Sequence, residues 1–203
     1  IGRFFGLLLL SLILKRTPGD DAPATPDVHD WHALAAPGKA ASPSARMTAN
    51  DPFMVIFTSG TTGKPKGAVH VHGGFPIKIA HDAAMHFDVA PGDVFCWPAD
   101  MGWIAGSLIL GSALLRGATL VCYDGAPDFP DWSRMGRLVA RHRITHFGSA
   151  PTLIRGLAAN EAVSTAPDLS SLRLLITAGE SIAPEHFVWF ERLFGRGTCP
   201  LIN

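Results

Sequence analysis

Ten residues from Thr58 to Gly67, TSGTTGKPKG, carry four hydroxyls, three glycines and two lysines, and they follow directly on the apolar run FMVIF at Phe53–Phe57. A strand that ends in small, flexible, hydroxyl-bearing residues offers backbone N–H groups, O–H donors and cations to one point, which suits a polyanion. Phosphate is the ligand these residue types favour. A P-loop of the form G-x-x-x-x-G-K-[ST] would require glycine where Thr58 stands and Ser or Thr where Pro65 stands. Pro65 also lacks the backbone N–H that such a loop supplies at its helix start. The loop is therefore a phosphate cradle of another kind.

The elements that must carry this loop are legible around it. FMVIFT and AVHVH (Ala68–His72) read as strands on either side, and PIKIAHDAAMHF (Pro76–Phe87) reads as a helix with proline in its first turn. Downstream, VFCW, ATLVCY, ITHFG and LRLLITAG read as strands. They alternate with helices over about Trp103–Leu115, Asp131–Arg143, Pro151–Asn160 and Ala183–Gly195. Strands alternating with short helices predict an α/β fold of parallel βαβ units with helices on the sheet faces. Residues 1–16 read as an edge strand or remnant of a preceding subdomain, with a buried strand within Phe4–Leu14. Residues 17–52, rich in Pro, Ala, Ser and Asp, read as a surface linker with at most a helical turn at Trp31–Ala35. Residues 53–203 read as the α/β part that carries the phosphate loop.

Composition narrows the function. Lys plus Arg and Asp plus Glu both total 17, so no net field draws the chain to nucleic acid or to an anionic membrane. The apolar stretch Phe4–Leu14 is about half the roughly 20 residues that span a bilayer. Cys96, Cys122 and Cys199 are odd in number and without CxxC spacing, which argues against a disulfide framework or a zinc site and fits a reducing cytoplasm. The pairs His70 with His72, His81 with His86, and His142 with His146 show no cysteine or carboxylate partner in a metal-site pattern, and His142 and His146 read as structural. The metal ligands, if any, are not assignable. Charged residues make up 17% of the chain, below the roughly 25% of ordinary soluble domains. Together with an N-terminus at Ile1 and an end just after CPLIN, this reads as a fragment whose surface is partly covered by further protein.

The ten-residue string resembles the signature T-S-G-[ST]-T-G-x-P-K-G of the adenylate-forming (AMP-dependent synthetase and ligase) superfamily, which includes acyl-CoA synthetases, luciferases and adenylation domains of peptide synthetases. Further stretches keep the resemblance in register: DMGWIAGS (Asp100–Ser107), SAPTLIRGL (Ser149–Leu157) and DLSSLRLLITAGESIAPE (Asp168–Glu185) are similar to segments of short- and medium-chain acyl-CoA synthetases. The resemblance implies that Thr58, Ser59, Thr61 and Thr62 donate hydroxyls to the β- and γ-phosphates of ATP. Gly60 and Gly63 would let the backbone approach, Gly67 would join the cofactor-binding set, and Lys66 would act as the catalytic cation, with Lys64 of less weight. It implies adenine contacts from Ala178, Gly179, Glu180 and Ser181, and an acyl pocket walled by Trp103, Ile104, Ala105 and Ala178.

The implied chemistry is a carboxylate's attack on the α-phosphate of ATP bound with magnesium, followed by transfer of the acyl group to coenzyme A. Neither step needs a protein nucleophile, and no G-x-S-x-G elbow is present. The alternatives are an adenylation domain that loads a carrier-protein thiol and a non-catalytic nucleotide-binding remnant. By the same resemblance, a Thr-Glu segment beginning at about Asn203 and a mobile C-terminal domain complete the enzyme, so the fragment alone is expected to be inactive. Ala105 and Ala178 leave more room than the acetate-specific pattern, so a short or medium acid larger than acetate is the expected substrate.

Overall fold

The computed structural model describes residues 43–57 and 66–203 in full, with the backbone of Thr58 and of two short strands nearer the N-terminus. The chain divides into two compact units, Ile1–Arg46 and Met47–Asn203. In the first, β1 (Ser11–Ile13) and β2 (Val28–Asp30) pair in parallel, with Ser11 opposite Val28 and Ile13 opposite Asp30. The strand expected within Phe4–Leu14 is thus present over three residues. Strand β2 falls inside the stretch read as a linker. Val-His-Asp has a single apolar residue and no visible alternation, so only its pairing with a remote partner makes it a strand. The turn expected at Trp31–Ala35 lies outside the described residues.

The second unit opens with an antiparallel hairpin, β3 (Pro52–Thr58) and β4 (Lys66–Val71), in which Val55 faces Val69, Phe57 faces Gly67 and Thr58 faces Lys66. Helix α1 (Phe75–Met85) follows, starting as expected with proline in its first turn. Then come β5 (Val94–Cys96), α2 (Ile104–Leu114), β6 (Thr119–Val121), α3 (Arg134–His142), β7 (His146–Ser149), α4 (Pro151–Ala159), α5 (Glu161–Ser164), β8 (Leu174–Thr177), α6 (Pro184–Trp189) and β9 (Leu201–Ile202). The last five strands form one sheet in the order β6-β5-β7-β8-β9, every neighbour parallel. This is the α/β architecture that the alternating pattern predicted.

Because side chains alternate across a strand, the sheet divides its apolar residues between two cores. Phe95, Leu174 and Ile176 pack with Ala83 of α1 and with Ile109 and Ala113 of α2. Cys96, Phe147 and Leu175 pack on the opposite face with Met135 and Val139 of α3, Ile154 and Leu157 of α4, and Phe190 and Phe194. Those two phenylalanines belong to a π-helical turn, Phe190–Phe194, that continues α6. In it the N–H of Gly195 donates to the carbonyl of Phe190 at 2.8 Å. The Cys96 thiol is pushed up to about 12 by burial, so it stays protonated and is no nucleophile. Among the described residues no helix is long and apolar enough to cross a membrane.

At the N-terminal end of the sheet, buried Asp93 accepts a hydrogen bond from Arg173 (2.5 Å), and the Thr145 hydroxyl oxygen stands 3.2 Å from its carboxylate. His146, 1% exposed, lies beside them. Its Nε2 is 2.8 Å from the carbonyl of Phe87, which can only accept, so Nε2 carries the proton and Nδ1 accepts from the Thr145 hydroxyl at 2.8 Å. Burial lowers the His146 pKa, against the upward pull of Asp93. The unfolded chain therefore takes up this proton more readily than the folded one. Stability from this group is complete above the free-histidine value of 6.5 and is lost as pH falls through the lower folded value. Urea midpoints are expected to drop between about pH 7 and pH 5, and the drop to be smaller in His146→Gln.

Candidate functional site

The mouth of the hairpin is where the phosphate cradle was expected. Lys66 opens β4 opposite Thr58, with an exposed side chain. Gly67 follows it opposite Phe57. A Cβ there would stand 3.0 Å from Cγ1 of Val55 and 3.2 Å from Cε1 of Phe57, so glycine lets these exposed apolar side chains close over the strand. Ser59, Gly60, Thr61, Thr62 and Gly63, together with Lys64, Pro65 and the side chain of Thr58, lie outside the described residues.

A cavity of about 610 Å3 opens beyond the C-terminal ends of β5, β7 and β8, the place where open parallel sheets hold ligands. It gathers all four residues expected for the acyl pocket, Trp103, Ile104, Ala105 and Ala178, with Gly179 and Glu180 beside them. Ser181 is turned away from it, into a neighbouring recess of about 300 Å3 that also touches Arg155.

Local sequence explains each wall. After β5 the chain turns at Asp100, whose Oδ1 accepts the N–H of Gly102 at 2.7 Å, while the Asp100 carbonyl accepts the N–H of Trp103 at 3.2 Å. Trp103, extended at φ −87° and ψ 164°, sits immediately before α2 and leaves its side chain 69% exposed at the cavity. Gly106 is required for this turn to fold back on the helix, because a Cβ there would meet the Met101 backbone at 2.5 Å. Trp97 lines the cavity from the end of β5, and its indole rests on Gly148 of β7, where a Cβ would lie 2.2 Å from the ring.

After β8 the chain passes through Gly179 at φ +99°, a conformation that side chains disfavour. No atom lies within 4 Å of where a Cβ would be, so the need for glycine here is conformational, and the backbone remains open to a ligand. Glu180 is then held from α4. The Thr152 hydroxyl donates to Oε2 of Glu180 at 2.7 Å, and Arg155 donates to Thr152 Oγ1 at 3.3 Å. Residue-by-residue reading of the sequence did not place Thr152, Arg155, Trp97 or Gly148 in the site. The signal that could have found the first two is the SAPTLIRGL stretch, which matched as a block. Thr152→Val is expected to cost about 0.5–1 kcal/mol. Glu180→Gln should cost less in that background than alone, a non-additivity read from a double-mutant cycle in urea.

The remaining histidines find varied settings. His70 packs on Phe75 (4.7 Å between ring centroids), and His72, one residue past the end of β4, packs edge-on to Phe53 (5.2 Å), which itself stacks on Phe75. His146 is structural, as expected. His81 and His86 do have a carboxylate partner, Asp82, which the spacing pattern alone did not reveal.

Comparison with known proteins bears on this arrangement. A family model described as AMP-binding enzyme matches residues 10–203. The chain is 40% identical over 178 residues to the acetyl-coenzyme A synthetase of Chlorobaculum tepidum, a match covering 86% of this chain and 27% of that protein. It is 41% identical over 199 residues to the acetyl-coenzyme A synthetase of Syntrophobacter fumaroxidans, covering 95% and 30%. Among solved structures, the acetoacetyl-CoA synthetase from Streptomyces lividans superposes with a TM-score of 0.75 at 29% identity, over 94% of this chain and 29% of that one. The chain thus spans less than a third of the length of each.

Proposed function

We propose that this chain, which belongs to the AMP-binding enzyme family, is the nucleotide- and acyl-binding part of an acid–thiol ligase. The complete enzyme converts a carboxylic acid and Mg-ATP to an acyl-adenylate and pyrophosphate, then passes the acyl group to coenzyme A with release of AMP. The observation that carries the proposal is the cavity of about 610 Å3 at the C-terminal ends of β5, β7 and β8. There an apolar wall of Trp103, Ile104, Ala105 and Ala178 meets the open backbone at Gly179. An acyl chain suits the first part and a flat base the second. The similarity to acetyl-coenzyme A synthetases over most of this chain supports the same reading.

In the proposed reaction the carboxylate attacks the α-phosphorus, its bond to the bridging oxygen breaks, and pyrophosphate leaves with the electron pair. Lys66, at the hairpin mouth, offsets charge on the departing phosphates, and the hydroxyls and N–H groups of Thr58–Gly63 complete their cradle. Magnesium enters as part of the nucleotide substrate. Positioning and charge neutralisation supply the acceleration, with no protein nucleophile. Glu180, held by Thr152, fixes the course of the chain past the base.

The substrate proposed is a short or medium acid larger than acetate, such as propionate or a branched or aromatic acid, because alanines stand at positions 105 and 178. Each methylene admitted or refused alters discrimination by about 1–3 kcal/mol. Acid-dependent pyrophosphate exchange by the complete enzyme tests both levels. Exchange with none of the acids rejects the ligase, and acetate with the highest kcat/KM rejects the larger pocket.

A further inference from the structure

At the C-terminal end of α1 three ligand-bearing side chains converge. Asp82 and His86 are four residues apart and so share one helix face. His81 reaches round from the preceding position. Nδ1 of His81 is 3.4 Å and Nε2 of His86 is 3.6 Å from Oδ1 of Asp82, and the three ligand atoms all lie within 4.8 Å of one another. Two of these separations are near the edge of a zinc tetrahedron, about 3.3 Å for bonds of about 2.0 Å. The third closes by rotation of the exposed imidazoles, whose side chains are 59% and 60% accessible.

We propose that His81, Asp82 and His86 form a surface site for one divalent transition-metal ion, zinc or cobalt, with water completing the coordination. Two imidazole nitrogens among three ligands favour a borderline ion over magnesium or calcium, which prefer oxygen. The carboxylate already holds a cation, the Lys78 ammonium bonded to it from one turn earlier. Lys78 is also the competitor. A doubly charged ion on Oδ1 displaces it, so the site's affinity is set partly by this ammonium. The site stands apart from the cavity lined by Trp103 and Gly179 and does not depend on the proposed ligase activity.

The test is titration of the full chain with Zn2+ by calorimetry and with Co2+ by visible absorption. One equivalent is expected to bind with micromolar affinity, with cobalt bands of the intensity of a four- or five-coordinate centre. Asp82→Asn and His86→Ala should each weaken binding about tenfold or more, and Lys78→Met should strengthen it several-fold. Affinity unchanged in Asp82→Asn and His86→Ala would put the ion elsewhere and overturn the site. So would the absence of binding below about 1 mM, or a Lys78→Met chain that binds no more tightly than the parent. Because Lys78 is exposed and removes only a competitor, its variant remains informative even where a ligand variant folds poorly.

Discussion

Lys66→Ala, placed in the complete enzyme, is expected to lower kcat/KM for adenylate formation by about 10²–10³-fold, the range for loss of one well-placed donor to developing charge. Its ammonium is exposed at the mouth of the hairpin, and its backbone pairing with Thr58 survives the truncation. Stability should therefore stay within about 0.5 kcal/mol of the parent, which separates a chemical effect from a folding one. Lys64→Ala should have a much smaller effect. Pyrophosphate exchange measured at saturating acid reads the difference, and equal rates for Lys66→Ala and the parent would remove this lysine from the phosphate cradle.

Phe147→Ala is expected to destabilise the Met47–Asn203 unit by about 3–5 kcal/mol. The ring is fully buried in the central strand β7, between β5 and β8, and packs on Phe194 at 5.4 Å between centroids. That loss is a large share of the roughly 5–15 kcal/mol that holds a domain together. Phe57→Ala, by contrast, truncates a side chain already 68% exposed and should cost little. Urea unfolding of both variants checks the contrast, and a small loss at Phe147 would mean that the two-sided sheet is not the main core.

The parallel sheet was legible because its strands include short apolar runs, LLIT and VFC among them, each bounded by residues that stop strands or start helices. Pro151 and Pro184 mark helix starts in the sequence and open α4 and α6 in the fold. What stayed hidden has physical reasons. Strand β2 owes its existence to a partner far away along the chain. The π-helical turn hides in FERLF, where aromatics at positions 190 and 194 suit an ordinary helix equally well. The four cavity-lining residues proposed to hold the acyl chain follow from matching residue blocks, yet Glu180's tie to Thr152 is a side-chain contact across 28 positions, beyond the reach of any local pattern. Asp82 is not legible as a partner of His81 from sequence because adjacent helical residues point about 100° apart. Only the rotamers at the helix end bring them together.

Gly148 touches no ligand space, yet the indole of Trp97 lies flat on it. One methyl group added there would overlap the ring at 2.2 Å and force the tryptophan, a lining residue of the cavity, to move, reshaping the cavity without altering any residue that lines it. Libraries confined to pocket-facing codons would never sample that adjustment, and a screen for altered chain-length preference gains a hidden control point by including position 148.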